Sequence, residues 1–139
     1  MTNYIPNTSK YKKYHKGKKL FKLKNTFNIL NFKTSLALKK LEPGRLNSKQ
    51  LIALRQTLNK LIKKRGKNYI KIFPTIGVSK KPKEIRMGKG KGALDHWIFK
   101  VKAGVILCEM FTTSVPLGIK ALKIVKKKIP LKTQIIQSL

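Results

Sequence analysis

The side chains of this chain best placed to do chemistry stand between Pro82 and Gly92, PKEIRMGKGKG, where Gly88, Gly90 and Gly92 alternate with Lys89 and Lys91 directly behind Arg86 and Met87. Glycine accepts positive φ and lets a backbone pass close to another surface, so the stretch reads as a side-chain-poor loop with a cation at every second position. The chemistry open to such a loop is contact with phosphate. Two enzymatic versions of that contact fail on spacing. A Walker loop needs GxxxxGK followed by Ser or Thr, and five residues after Gly88 stands Ala93, so the lysine and the magnesium-binding hydroxyl are both missing. Gly88, Gly90 and Ala93 fit the looser dinucleotide pattern GxGxxA. Yet the charged KPKEI precedes them where a buried strand should be, and the strand-like HWIFKVK follows where a helix should begin. What remains is a basic finger that meets a polyanion, against the plainer alternative of a solvated turn that lysine keeps soluble.

The rest of the chain decides between these. Its 139 residues hold 34 Lys plus Arg against 4 Asp plus Glu, a formal net charge of +30. Self-repulsion at such charge opposes a compact state unless a polyanion neutralises it, which points to nucleic acid first and an anionic membrane surface second. No run approaches the roughly 20 apolar residues of a spanning helix, so no membrane partner is expected. Only four of the cations are arginines, Arg45, Arg55, Arg65 and Arg86. Arginine binds phosphate bidentately and stacks on bases, so these are better candidates for specific contacts than any single lysine. The lysine, asparagine and isoleucine bias is that of adenine- and thymine-rich coding. Glu42, Glu84, Asp95 and Glu109 form no recognisable acid–base pair, His15 and His96 have no ligand partners at motif spacing, and the single Cys108 sits in an apolar run as a small core residue. No enzyme, no metal site and no cofactor is read here.

A second basic stretch, Met1 to Lys24, contains TSKYKKYHKGKKLFKLK, with Tyr4, Tyr11, Tyr14, His15 and Phe21 among lysines. Lysine neutralises phosphate while aromatic rings stack on unpaired bases, the combination of an arm that orders on RNA. A cleaved organelle presequence is the competing reading, but that type is rich in Arg and Ser, and this arm has no arginine and one serine. If the protein works in an organelle, it is expected to be made there.

The elements that must position arm and finger follow from hydrophobic patterning. At 41% hydrophobic, one core is within reach, so the chain divides into an arm over 1–24 and one domain over 25–139 that carries the finger as a loop over 80–95. TFNILNF and SLALKKL alternate as one or two strands, and Glu42-Pro43-Gly44-Arg45 makes a turn. Asn47 with Gln50 matches a capping box ahead of Leu51, Leu54, Leu58 and Leu61, a helix that Gly66 ends, with Lys49, Gln56, Lys60 and Lys63 on its other face. NYIKIF is a strand ending at Pro74, and Thr75 to Ser79 is a turn. Beyond the finger, Trp97, Phe99 and Val101 share a face, Ala103-Gly104 turns, and Ile106, Cys108 and Met110 return, which reads as a hairpin. Ser114 caps a second helix with Pro116 in its first turn and Leu117, Ala121, Ile124 and Val125 on its inner side; LKTQIIQ is a last strand. The order of elements is α+β.

With these pieces placed, the chain resembles the bacterial and organellar large-subunit ribosomal protein L-sixteen family. The family shows a basic start, GRLT and RQ opening a helix, RVFP, a KPxxxRMGKGKG loop, a tryptophan strand, YEM and LPxKT. Here these stand as KYKKYHKGK from Lys10 to Lys18, GRLNSKQ from Gly44 to Gln50, IKIFP from Ile70 to Pro74, KPKEIRMGKGKG from Lys81, Trp97, LCEM from Leu107 and IPLKT from Ile129. Leu20 to Lys40 departs from the family's glycine-rich pattern. The resemblance implies an α/β-hammerhead-like body of two helices on a mixed or antiparallel sheet, bound to large-subunit rRNA beside neighbouring ribosomal proteins, with no homo-oligomer. It places rRNA binding on Lys10, Lys12, Lys13, His15, Lys16 and Lys18, joined by Arg45, Lys49 and Arg55. It implies that Arg86, Met87, Gly88, Lys89, Gly90, Lys91 and Gly92 reach toward tRNA at the aminoacyl site near the peptidyl transferase centre, with catalysis left to RNA. The expected location is a mitochondrial large subunit, with a plastid or an AT-rich bacterial cytoplasm as alternatives. A free protein that compacts nucleic acid is the rival of a different class.

Overall fold

The computed structural model describes residues 4–6, 10–11, 13–17 and 36–137. Lys12 and Lys18 of the arm, and most of the alternating stretch read after Thr26, lie outside the described residues. Within them the chain runs β1 (Leu36–Lys40), β2 (Gly44–Asn47), α1 (Ser48–Ile62), β3 (Gly66–Ile70), β4 (Ile76–Lys80), β5 (Ala93–Val101), β6 (Ile106–Thr112), α2 (Val115–Lys128) and β7 (Thr133–Gln137). Two antiparallel sheets result, β3-β6-β1-β7 and β2-β5-β4. Two helices packed on antiparallel sheets make this an α+β fold, as the order of elements predicts.

The helices form where the capping chemistry and leucine spacing put them. Asn47 accepts from the Lys49 backbone N–H, and its own N–H donates to Gln50 Oε1 at 2.9 Å. Leu51, Leu54, Leu58 and Ile62 then face inward. The helix stops earlier than Gly66: Lys63 takes a left-handed φ of 50° and donates its N–H to Asn59 O. Gly66 instead opens β3, where a Cβ would stand 2.2 Å from the Phe111 carbonyl oxygen, so glycine is required by close approach and not by helix termination. In α2, Pro116 is in the first turn, but Ser114 makes no side-chain capping bond. The buried stripe is Gly118, Ala121, Leu122 and Val125. It is turned from the predicted one because Gly118 lets the helix settle onto Leu36, whose Cδ1 a Cβ there would meet at 2.5 Å. The helices pack on each other, and Lys128 Nζ donates to Thr57 Oγ1 at 2.9 Å across their ends.

Three strand assignments differ from the sequence reading. β5 and β6 are not a hairpin: β5 pairs with β2 and β4, whereas β6 lies between β1 and β3 in the other sheet. Residues Ile106 to Met110 are all buried, which demands a strand covered on both faces, and the turn through Gly104 (φ 85°) hands the chain from one sheet to the other. The stretches read as turns, Glu42 to Arg45 and Thr75 to Ser79, lead into or contain β2 and β4, the outer strands of the second sheet. Both are short and one carries turn-forming residues, so local pattern alone could not show that each has β5 to pair with.

Two buried charges sit in the first sheet. Glu109 is fully buried and pairs with Lys71 at 2.8 Å. Lys40, only 1% exposed, has its Nζ without a hydrogen-bond partner, and burial pulls its pKa down to about 8 against a smaller upward pull from Glu42. The folded chain thus holds this proton less tightly than the unfolded chain, whose lysine titrates near 10.5. The destabilisation is complete below about pH 8 and is relieved as pH rises toward 10.5. Lys40→Met is expected to stabilise the fold at pH 7 by on the order of 2 kcal/mol, with the gain over wild type fading toward the unfolded lysine pKa in urea titrations. A gain that does not change with pH would contradict this account of Lys40.

Candidate nucleic-acid interface

The finger is the loop of the β4–β5 hairpin. Lys80 and Ala93 are the last paired residues before it, so its base is held by a strand ladder in which β5 is central. At the base, a Cβ on Gly92 would stand 2.5 Å from the Lys80 carbonyl oxygen, so the two sides of the loop can close only on glycine. At the tip, Gly88, Lys89 and Gly90 take positive φ in succession, 93°, 52° and 78°. No atom would lie within 4 Å of a Cβ at Gly88 or Gly90, so these two glycines serve backbone conformation and not packing. Lys81 Nζ donates to Gly88 O across the loop. Arg86, Met87, Lys89 and Lys91 are exposed, Met87 to 97%. The tip is therefore a turned backbone that holds out one guanidinium, one thioether and the ammonium group of Lys89.

The arm comes to the base of this loop, a contact that no sequence motif announced. Lys13 Nζ donates to Lys91 O at 2.9 Å, and Lys91 Nζ donates back to Tyr14 O. The Tyr14 ring meets Trp97 of β5 edge-on, centroids 5.8 Å apart, and passes over Gly77 of β4, where a Cβ would be 3.2 Å from the ring. Farther along, Arg45 Nη2 donates to Gly17 O at 2.6 Å. Arg45 is directly opposite Lys100 in the β2–β5 ladder, so the Gly17 carbonyl arrives beside two like charges that would otherwise repel. Gly17 has φ 67°, and a Cβ there would press on Lys100 Nζ at 2.8 Å. Tyr4 packs near Phe73 with centroids 6.2 Å apart. The interleaved aromatics of the arm are thus partly spent on the body, Tyr14 above all. Lys10, His15 and Lys16 remain exposed.

Of the other candidates, Lys49 is exposed in the first turn of α1, and Arg55 lies farther along that helix beside Asn59 and Lys63. Arg55 is not brought to the loop. One carboxylate stands among the cations at the loop base: Asp95 Oδ2 is 2.7 Å from His96 Nδ1. That hydrogen bond holds the Asp95 carboxyl below its usual range, with the charges of His96, Lys80 and Lys49 adding to the effect. Lys100 and Gly77 were missed by sequence reasoning, since only pairing across β4 and β5 brings them under the arm, and Tyr14, read there as a ring for stacking on bases, meets Trp97 instead. Among the described residues no group of His, Cys, Asp and Glu is arranged to hold a metal ion, and no helix is long and apolar enough to cross a membrane.

The sequence that folds in this way has relatives. The profile of the family described as ribosomal protein L16p/L10e matches residues 6–136. The chain is 40% identical over 131 residues to a protein of Paracoccus denitrificans named large ribosomal subunit protein uL16, covering 94% of both chains. Proteins of the same name from Cereibacter sphaeroides (38% identical, 94% of each chain) and Erythrobacter litoralis (40% identical, 94% of this chain and 90% of that one) are similar over the same length. The chain belongs to the ribosomal protein L16p/L10e family.

Proposed function

We propose that this member of the L16p/L10e family is a structural constituent of the large ribosomal subunit, held on large-subunit rRNA by its arm and basic surface, with the loop Arg86 to Gly92 turned toward aminoacyl-tRNA beside the peptidyl transferase centre. The observation that carries this reading is the clasp between Lys13, Tyr14 and Lys91, which makes the rRNA-facing arm and the loop one unit. An arm fixed by phosphates then sets where the loop base sits, and the three left-handed residues 88–90 set where its tip points. Lys10, Lys13, His15 and Lys16, with Lys12 and Lys18 from the sequence pattern, supply charge along the arm; Arg45, Lys49 and Arg55 extend it over the body. Arg86 is the group suited to a bidentate phosphate contact, Lys89 adds charge at the tip, and Lys91 ties the loop base to the arm. The protein positions and neutralises; bond making belongs to the RNA, and no enzyme activity or cofactor enters.

The family and its bacterial relatives fit a ribosome of bacterial type. We place it in a mitochondrial large subunit on the lysine- and asparagine-rich composition, with plastid or bacterial cytoplasm as the other homes, and mapping the coding gene to its genome distinguishes them. The protein is expected to act as a single copy among neighbouring ribosomal proteins.

The test is binding and sedimentation together. Isolated protein is expected to bind large-subunit rRNA with a steep fall of affinity in salt, because the net charge of +30 acts through counterion release. Changing Lys10, Lys13 and Lys16 to Ala should reduce the slope of log affinity against log salt by about 2, at roughly 0.7 per phosphate contact on single strands. In lysates the wild type should travel with large subunits. Sedimentation with the genome instead, or an unchanged slope in the variant, would show a free nucleic-acid-compacting protein or an arm that is no anchor.

A further inference from the structure

The strand β3 is an edge of its sheet, on the opposite side of the fold's ladder from β7, and it does not belong to the sheet that carries the loop. Along it runs a groove of about 490 Å³ lined by Lys64, Arg65, Lys67, Tyr69, Phe111 and Thr113 together with Gly66. Neither the loop reading nor the arm reading uses it. Tyr69 and Phe111 are 43% and 42% exposed, large rings left partly open to solvent, whereas Trp97 is packed. Lys67 stands directly opposite Phe111 in the β3–β6 register and Tyr69 is two residues on, so both rings and the ammonium group share one face. Lys64 and Arg65 project from the turn that leads into the strand and are exposed.

We infer that this groove is a second RNA site, which takes an unpaired nucleotide with its base on Tyr69 and Phe111 and its flanking phosphates on Lys64, Arg65 and Lys67. Three features favour this occupant. The volume is in the range of clefts that hold small ligands, enough for a base and its sugar. None of the lining residues is a carboxylate; the nearest one in the ladder, Glu109, is buried in its pair with Lys71. Aromatic faces beside cations are the combination that holds unpaired bases without reading sequence, the ring supplying stacking and the cations neutralising the backbone. The groove is also rigidly built: Thr113 donates from its backbone N–H and its hydroxyl to Arg65 O, which fixes the turn, and Gly66 passes against Phe111 O where no side chain fits. A second cleft shares Gly66, Lys67 and Tyr69 with the groove and has Arg55, Asn59 and Lys63 at its rim, so the positive surface continues along β3 toward α1.

The inference rests on the reading of the chain as an RNA-binding protein, and the experiment separates the two. The full-length protein is titrated with a single-stranded oligoadenylate carrying 2-aminopurine, whose fluorescence reports stacking, across a series of salt concentrations. Replacing both rings, Tyr69→Ala with Phe111→Ala, should weaken binding at least about five-fold and abolish the fluorescence change without altering the salt slope. Replacing Lys64, Arg65 and Lys67 with Ala should reduce the slope by about 2. Tyr69→Leu with Phe111→Leu keeps the apolar area and should lose stacking all the same, while Tyr69→Trp should retain it, so a folding defect is not mistaken for lost contact. If the wild type binds RNA and the arm variant flattens its slope, but the groove variants match wild type, the groove is overturned as an RNA site, and a protein neighbour becomes its occupant. If wild type itself does not bind RNA, both this inference and the proposed function fall.

Discussion

Ribosomes carrying Arg86→Ala are expected to assemble normally and to hold aminoacyl-tRNA about ten-fold less tightly or worse. Arg86 is exposed on the loop, ahead of the left-handed turn, and it touches none of the buried leucines that make the core. Its removal therefore leaves the fold and the arm's contacts in place. A charge-assisted hydrogen bond to phosphate contributes roughly 1.5 to 3 kcal/mol, which sets the lower bound of the loss. Binding of aminoacyl-tRNA to purified mutant ribosomes measures it. Wild-type affinity in fully assembled ribosomes would show that the guanidinium meets no phosphate.

Gly92→Val and Gly90→Val should part company, although both glycines belong to one motif. At Gly92 a Cβ would lie 2.5 Å from the Lys80 carbonyl oxygen and 2.7 Å from its carbon, and backbone in a strand ladder cannot move aside. Overpacking of this kind costs about 1 to 3 kcal/mol, so the isolated protein should melt several degrees lower, the β4–β5 ladder should open near its end, and assembly should suffer. At Gly90 the space is empty and only the φ of 78° opposes a β-branched side chain. The loop tip relaxes, the melting temperature stays near wild type, and the loss appears in tRNA accommodation alone. Equal melting temperatures for the two variants would contradict the distinction between base and tip. The clasp adds a qualification to any separation of arm from loop: Lys13→Ala removes a charge from the arm and a hydrogen bond from Lys91 O at once, so it should disturb both assembly and accommodation.

Much of this was legible in the sequence because it is encoded locally. Asn47 and Gln50 specify a helix start through one reciprocal pair of hydrogen bonds, and Leu51, Leu54 and Leu58 specify its inner face by spacing alone. The glycine alternation specified a loop, and the loop is there. What escaped was everything set by pairing at a distance. β2 and β4 have few residues and little pattern of their own; they are strands because β5 offers both edges. The turn at Gly104 reads as a hairpin turn, yet β6 is buried on both faces and joins the sheet where β1 and β3 can cover it. The docking of Tyr14 against Trp97 needed Gly77 beneath it, and a glycine in a strand of five residues gives no sign of which ring it admits. The same applies to the β3 groove, whose two rings are 42 positions apart in the chain and adjacent only through the ladder.

The chain's own chemistry offers a direct test of where the loop points. Cys108 is the single cysteine, it is fully buried, and burial raises its thiol pKa to about 12, so it is inert to alkylating reagents in the folded protein. Met87→Cys, at a loop position that is 97% exposed, therefore provides one reactive thiol for a short photocrosslinker. Labelled protein is assembled into large subunits, joined to small subunits with message, and irradiated with the aminoacyl site empty or filled with aminoacyl-tRNA. A crosslink from residue 87 to tRNA that appears only when the aminoacyl site is filled is the result expected of a tRNA-facing loop. Crosslinks to rRNA alone, identical in yield whether that site is empty or filled, would contradict it.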